Sequence, residues 1–255
     1  MSTIVGSRQS STSPVRAYNP RHSSFPYSEL DFKRTDESSD DAFYNDSRFV
    51  THIDDNAILL LGQYYSQTLP RSGRILDLCS SWISHMPKEV EDATSKSNGQ
   101  GTAPLEIVGL GMNKAELKKN PILAKSVLQD LNVDPHIPKH ISPLDATTCV
   151  VSIDYLTQPI PVLSSILNLT KPGGKVHLII SNRCFPTKVI SRWLRVSEEE
   201  RLQMVGDYLW FSGWRDVEIV TLSDGKQPSN EQQGIMAWFT GGTDPLWVVR
   251  GTKIR

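Results

Sequence analysis

Gly73-Arg74-Ile75-Leu76-Asp77-Leu78-Cys79-Ser80-Ser81-Trp82 is the stretch on which the fold of this 255-residue chain turns. Ile75-Leu76 reads as a short buried strand that delivers the carboxylate of Asp77 at its C-terminal end, where open α/β sheets bind their ligands. The next four residues, Cys79 to Trp82, include no glycine. A nucleotide-binding turn ordinarily uses glycines there, because they let backbone N–H groups approach a ligand closely. Further along, Leu169-Thr170-Lys171-Pro172-Gly173-Gly174-Lys175-Val176-His177-Leu178-Ile179-Ile180 reads as a helix end, a tight turn and another buried strand.

Between and around these two segments, strand alternates with helix. Asp54 or Asp55 caps a helix carried by Ala57, Ile58, Leu61, Tyr64 and Tyr65, which recur at helical spacing, and Pro70 and Gly73 end it. Trp82 to Val90 reads as a short helix interrupted near Pro87. Leu105 to Met112 is a second strand, after which Asn113 caps a helix over Lys114 to Lys119. Ser126-Val127-Leu128 is a third strand and the β-branched run Thr147 to Ile153 a fourth. A helix from about Pro161 to Leu169 leads into the fifth strand, Lys175 to Ser181. A long helical region then reaches Phe211, and Asp216–Leu222 and Leu246–Val249 supply two late strands. This order predicts a Rossmann-like α/β fold, a mostly parallel seven-stranded sheet with helices on both faces.

The ends of the chain differ in kind. Residues 1–36 are Ser-rich, hold Arg8, Arg16 and Arg21, and have no acid before Glu29. Such composition buries too little apolar surface to fold, so a disordered tail is expected. It also partly fits an organelle transit peptide, although Pro14 and Pro20 break any amphipathic helix. The domain proper is expected over 41–255, with 91–103 a polar, Gly/Ser-rich flexible insertion. A formal net charge of −1 leaves no electrostatic footprint for nucleic acid or an acidic membrane. No apolar run approaches the roughly 20 residues of a membrane-spanning helix. Three cysteines without metal-type spacing point to no metal and to a reducing, cytoplasmic setting.

The order and spacing of the Asp77 and Gly173-Gly174 segments resemble the class I S-adenosylmethionine (SAM)-dependent methyltransferases, type 11-like, with a glycine-poor SAM motif. The resemblance covers roughly residues 43–250 and implies that the late strand pair is the antiparallel hairpin closing the sheet. It implies SAM as cofactor and a small molecule as acceptor. Asp77 then matches the acid that neutralises the SAM amino group, while Cys79 and Ser81 occupy usual glycine positions. Gly111 stands where the family's ribose-binding carboxylate would be, with Asn113 as the partial substitute. Asp130 and the Leu131 N–H match the adenine contacts. Asp154 and Tyr155 follow the fourth strand, where a carboxylate beside a ring favours a sulfonium.

Residues toward the acceptor are Asn182 and Arg183, after the fifth strand, and Tyr44 in the aromatic lead-in. Arg183 suits a carboxylate or phosphate through its planar fork. His52, Tyr155 and Arg183 are the catalytic candidates, His52 as general base. Tyr44, Arg48 and His52 together would form a lid. The missing glycines and ribose carboxylate open the alternative of a degenerate methyltransferase fold that serves as a non-catalytic binding or interaction module.

Overall fold

The computed structural model describes residues 13–94, 104–225 and 244–255. Its strands are β1 (Val15–Ala17), β2 (Gly73–Leu78), β3 (Leu105–Gly111), β4 (Lys125–Leu128), β5 (Leu144–Val150), β6 (Thr170–Ser181), β7 (Arg215–Ser223) and β8 (Leu246–Thr252). They form one sheet in the order β1-β7-β8-β6-β5-β2-β3-β4. Pairings among β2 to β6 are parallel, whereas β8 runs antiparallel to both β6 and β7. The hairpin expected from Asp216–Leu222 and Leu246–Val249 therefore closes a parallel sheet.

Alternation along the strands separates two cores. Leu76, Leu78, Val108 and Leu110 pack on one face, with Val162, Leu163 and Ile166 of α5 (Pro159–Leu169) and Leu202 and Val205 of α7 (Glu198–Phe211). Ile75, Leu105 and Ile107 pack on the other, with Ala57, Leu61 and Tyr65 of α2 (Asp55–Thr68) and Val90 of α3 (Lys88–Thr94). The central strands β2, β3, β5 and β6 thus bury both faces, as a doubly covered parallel sheet requires. Three shorter helices, α1 (Asp40–Tyr44), α4 (Lys114–Lys119) and α6 (Ser191–Arg195), lie in the connections.

Two expectations change. The sheet has eight strands, and the eighth comes from the segment read as a disordered tail. Val15–Ala17 adds antiparallel to the free edge of β7. Tyr18 and Tyr27 both donate their phenolic hydrogens to the carboxylate of Asp207, on α7, which is wholly buried. Phe25 and Phe32 stack on one another and meet the Tyr208 ring. Four aromatics with one buried acceptor supply the apolar area that serine-rich composition hid. Residues 1–12 of the expected tail lie outside the described residues. Of the expected insertion, 91–94 finish α3, and 95–103 lie outside the described residues.

Candidate functional site

At the C-terminal ends of the parallel strands lies a cavity of about 370 Å³, within the roughly 300–1,000 Å³ of small-molecule sites. Its floor is the turn after β2. Cys79 there adopts φ +54°, a left-handed conformation that costs a non-glycine residue about 1–2 kcal/mol. The backbone thus takes the shape that a glycine would favour without having one. Asp77 is 3% exposed and accepts hydrogen bonds from Ser80 Oγ (2.6 Å), Ser84 Oγ (2.6 Å) and Thr148 Oγ1 (3.2 Å). Burial raises its pKa and the three hydroxyls oppose that rise. A carboxylate accepts about four hydrogen bonds, so room remains for one further donor.

The same turn explains Gly111. Ser80 donates its N–H to Leu110 O at 2.7 Å, which draws the turn over the end of β3. A Cβ on Gly111 would lie 2.2 Å from Ser80 O. No side chain fits there, the implied ribose carboxylate included. Asn113 does not replace it. Its Oδ1 caps α4 by accepting from the N–H groups of Ala115 (2.9 Å) and Glu116 (3.0 Å), and Nδ2 donates to Tyr44 O (2.8 Å) and Asn45 O (3.1 Å). Asn113 lines the cavity, but its amide is committed to holding helix and lead-in together. Glu116, which the sequence reading passed over, also lines the cavity. It accepts from Ser81 Oγ (2.6 Å) and from the Arg48 N–H (2.6 Å).

Beyond β4, Asp130 and Leu131 reach the cavity, and burial raises the Asp130 pKa. Asn132 beside them donates Nδ2 to Asp40 (2.9 Å) and to Tyr155 O (3.1 Å). Asp40 begins α1 and is buried against Arg34 (2.7 Å) and the fully buried Lys188 (3.2 Å). Burial alone would raise its pKa, but the bonds from Arg34, Asn132 and Lys188 outweigh that and hold it below the usual value. Asp36, Asp40, Arg34 and Lys188 together fasten the N-terminal segment to the loop after β6. None of the four was singled out from sequence, because Lys188, which pairs with both aspartates, lies about 150 residues further along the chain.

The lead-in reaches the cavity as expected, with Tyr44, Arg48 and His52 on its wall. His52 sits exposed at the rim with φ +64°, edge-on to Phe185. Partial desolvation lowers its pKa while the Glu116 carboxylate raises it, with a net fall, so the imidazole is neutral at pH 7. Tyr155 accepts the Phe185 N–H on its hydroxyl at 2.7 Å, and burial pushes its pKa up. Arg183 lies at the rim, its Nε on Asp244 at 2.8 Å, and remains 61% exposed. Ser81, Cys184 and His85 are also on the wall.

Two expected site residues are elsewhere. Asn182 is exposed and outside the cavity lining. Asp154 sits in a 3-10 turn, Ile153–Tyr155, that points it inward: it is 3% exposed, off the cavity wall, and its Oδ2 has no partner among the described residues. Burial pushes its pKa to about 8. It is a neutral acid at pH 7, not the carboxylate that would face a sulfonium.

Backbone strain gathers around this cavity. Among the described residues five non-glycines have positive φ, and four of them, His52, Cys79, His85 and Val151, line it. Such outliers persist where the surrounding structure over-determines them and cluster at ligand sites. The described residues hold no cluster of ligands for a metal ion. None of their helices is long and apolar enough to cross a membrane.

No protein-family model and no curated protein matches the sequence. Similar solved structures are SAM-dependent methyltransferases. The chain is 14% identical to the apo form of SibL, with 79% of this chain and 55% of that one covered and a TM-score of 0.45. It therefore spans about half the length of SibL. A SAM-dependent methyltransferase from Archaeoglobus fulgidus is 15% identical over 77% of this chain and 94% of its own (TM-score 0.47). Precorrin-6y C5,15-methyltransferase from Geobacter metallireducens is 13% identical over 84% and 95% (TM-score 0.47). Likeness this distant carries no functional weight, and what the cavity can bind follows from its own residues.

Proposed function

We propose that the chain is a class I, type 11-like methyltransferase that binds SAM in this cavity and methylates a small-molecule acceptor. The observation that carries the proposal is the turn at Cys79, which keeps a left-handed backbone beside the buried Asp77 although its sequence has no glycine. Strain of that kind is retained where a ligand needs the backbone close.

The residues present fit SAM at two of its three parts. Asp77, with one acceptor position left, would hold the amino group, and Asp130 and Leu131 lie where the resemblance implies adenine contacts. The ribose is not held from position 111 or by the Asn113 amide. SAM, when bound, supplies a methyl group activated on a sulfonium. Methyl transfer then asks mainly for alignment and exclusion of water. Tyr44, Tyr155 and Phe185 wall the acceptor end with apolar surface. The neutral His52 can take a proton from an acceptor hydroxyl or amine, and Arg183, steadied by Asp244, can hold an anionic or aromatic portion. A cytoplasmic setting and the lack of a nucleic-acid or membrane partner belong to the same proposal, supported by three free thiols and near-neutral charge.

One assay tests it: release of S-adenosylhomocysteine (SAH) from SAM with a panel of small phenols, amines and carboxylic acids. Arg183→Ala should lower kcat/KM for the acceptor by about tenfold or more with the KM for SAM nearly unchanged. Equal loss of both would assign Arg183 to folding or cofactor binding. A second reading, a non-catalytic binding module, draws on the closure of Gly111 by Ser80 and on the three hydroxyls around Asp77. Binding of SAM without turnover of any acceptor would favour it.

A further inference from the structure

The cavity wall carries two cationic side chains, Arg48 and Arg183. Arg183 is paired with Asp244 at 2.8 Å. The Arg48 guanidinium has no carboxylate within ion-pair distance among the described residues, yet the residue is held in place. Its N–H is bonded to Glu116 at 2.6 Å, Nη1 donates to Phe43 O at 3.0 Å, and the guanidinium lies 4.5 Å from the Phe43 ring centroid and 5.4 Å from that of Phe185. Only one of its five N–H donors is used by the described residues.

A half-buried cation walled by rings loses hydration, and ring faces return only part of it. Nearby charges show the alternative. Arg34 and Lys188 face carboxylates at 2.7–3.2 Å, behind Asp40. Four carboxylates line the cavity: Asp77 of the β2 turn, Asp130 beyond β4, Glu116 of α4, and Asp40 of α1, which Arg34 and Lys188 already pair. Arg48 comes from the lead-in, its guanidinium beside Phe185 and only its backbone N–H on the Glu116 carboxylate. Of the two cavity arginines, Arg48 is therefore the one whose charge no carboxylate of the described residues pairs.

We propose that Arg48 is an anion-binding residue of the cavity in addition to Arg183, and that its fork takes a carboxylate or phosphate group. Resting on the reading of the cavity as a SAM site, that anion is either the carboxylate at the amino-acid end of the cofactor or an anionic group on the acceptor. Planar, stacked arginine suits such groups because two parallel N–H donors match two oxygens.

The full-length chain with Arg48→Gln and Arg48→Lys distinguishes the sources by calorimetry. The probes are SAH, its analogue lacking the carboxylate, and benzoate added to SAH-loaded protein; melting of each variant without ligand checks folding. Loss of a charge-assisted pair should weaken binding about tenfold or more. If the anion is the cofactor's, Arg48→Gln weakens SAH by that factor and leaves the decarboxylated analogue unchanged. If it is the acceptor's, SAH binding stays as in the parent and benzoate binding is lost. Arg48→Lys should fall between, since it keeps the charge but not the fork, and it carries the test if the Gln variant does not fold. Equal weakening of SAH and its decarboxylated analogue, or no change with any probe, overturns the proposal. Should the parent protein bind no SAH, the SAM reading fails by itself, and benzoate on the unloaded protein still decides for or against Arg48.

Discussion

Replacing Asp154 by Asn separates a buried neutral acid from a ligand-facing carboxylate. Its pKa in the folded chain is about 8, raised by burial from 3.8. A raised folded pKa means that the folded state holds the proton where the unfolded chain has released it. The stability that this proton contributes is complete below about pH 4 and is lost as pH rises through 8. At about 1.4 kcal/mol per pH unit the limit for pH 5 to 8 is about 4 kcal/mol. Asn keeps the shape and cannot ionise. Urea unfolding of both proteins at pH 5, 6, 7 and 8 should show the parent losing about 2–4 kcal/mol relative to Asp154→Asn across that range. A difference flat to within about 0.5 kcal/mol would refute the buried-acid reasoning and return Asp154 to the list of solvated carboxylates.

His177 should give the opposite slope: fully buried against Tyr64 (2.7 Å), with its pKa depressed to about 3, it makes stability fall as pH drops from 6.5 toward 3. Between pH 4 and 6.5 this slope opposes that of Asp154, so Asp154→Asn should lose stability toward acid about 1 kcal/mol per unit more steeply than the parent; parallel profiles contradict this. Cys79→Gly relieves φ +54° and should leave stability unchanged or raised by up to about 1 kcal/mol in urea, whereas a clear loss would mean that the thiol's packing outweighs the strain. Gly111→Ala drives a Cβ to 2.2 Å from Ser80 O and should destabilise by about 2 kcal/mol or more; wild-type melting would show that the turn yields freely. Asp207→Ala strips the acceptor shared by Tyr18 and Tyr27 and should release residues 13–36 to proteolysis with a drop of about 2–4 kcal/mol; an intact, equally stable segment would refute its anchoring role.

Much of this architecture is legible from local pattern. β2, β3 and β6 announce themselves because strands buried on both faces read as apolar runs, β5 shows as a β-branched run, and the terminal hairpin follows from two strand-like segments late in the chain. Asp77 could be placed because a residue at the end of a parallel strand has little freedom to be elsewhere. Asp154 had the same kind of address and a different fate, since a single 3-10 turn decides whether a side chain faces the cavity or the interior. The N-terminal segment was unreadable for another reason. Tyr18, Phe25, Tyr27 and Phe32 follow no helix or strand period, and the group that orders two of them, Asp207, lies about 180 residues away. The Asp40–Lys188 pair was hidden in the same way. Serine at the Asp77 turn looked like a deficit of glycine. In place, Ser80 and Ser84 solvate a buried carboxylate, and Ser81 ties the turn to Glu116. Relief of strain therefore belongs to Cys79, not Ser81.

The most direct test of the central claim is titration of SAH into the intact chain and into Asp77→Asn at pH 7, followed by calorimetry. The account predicts one site per chain in the parent, and binding about tenfold or more weaker in Asp77→Asn, because the remaining acceptor position on that carboxylate is lost. No heat of binding from SAH or SAM up to about millimolar concentration, where even a −4 kcal/mol interaction registers, would contradict it.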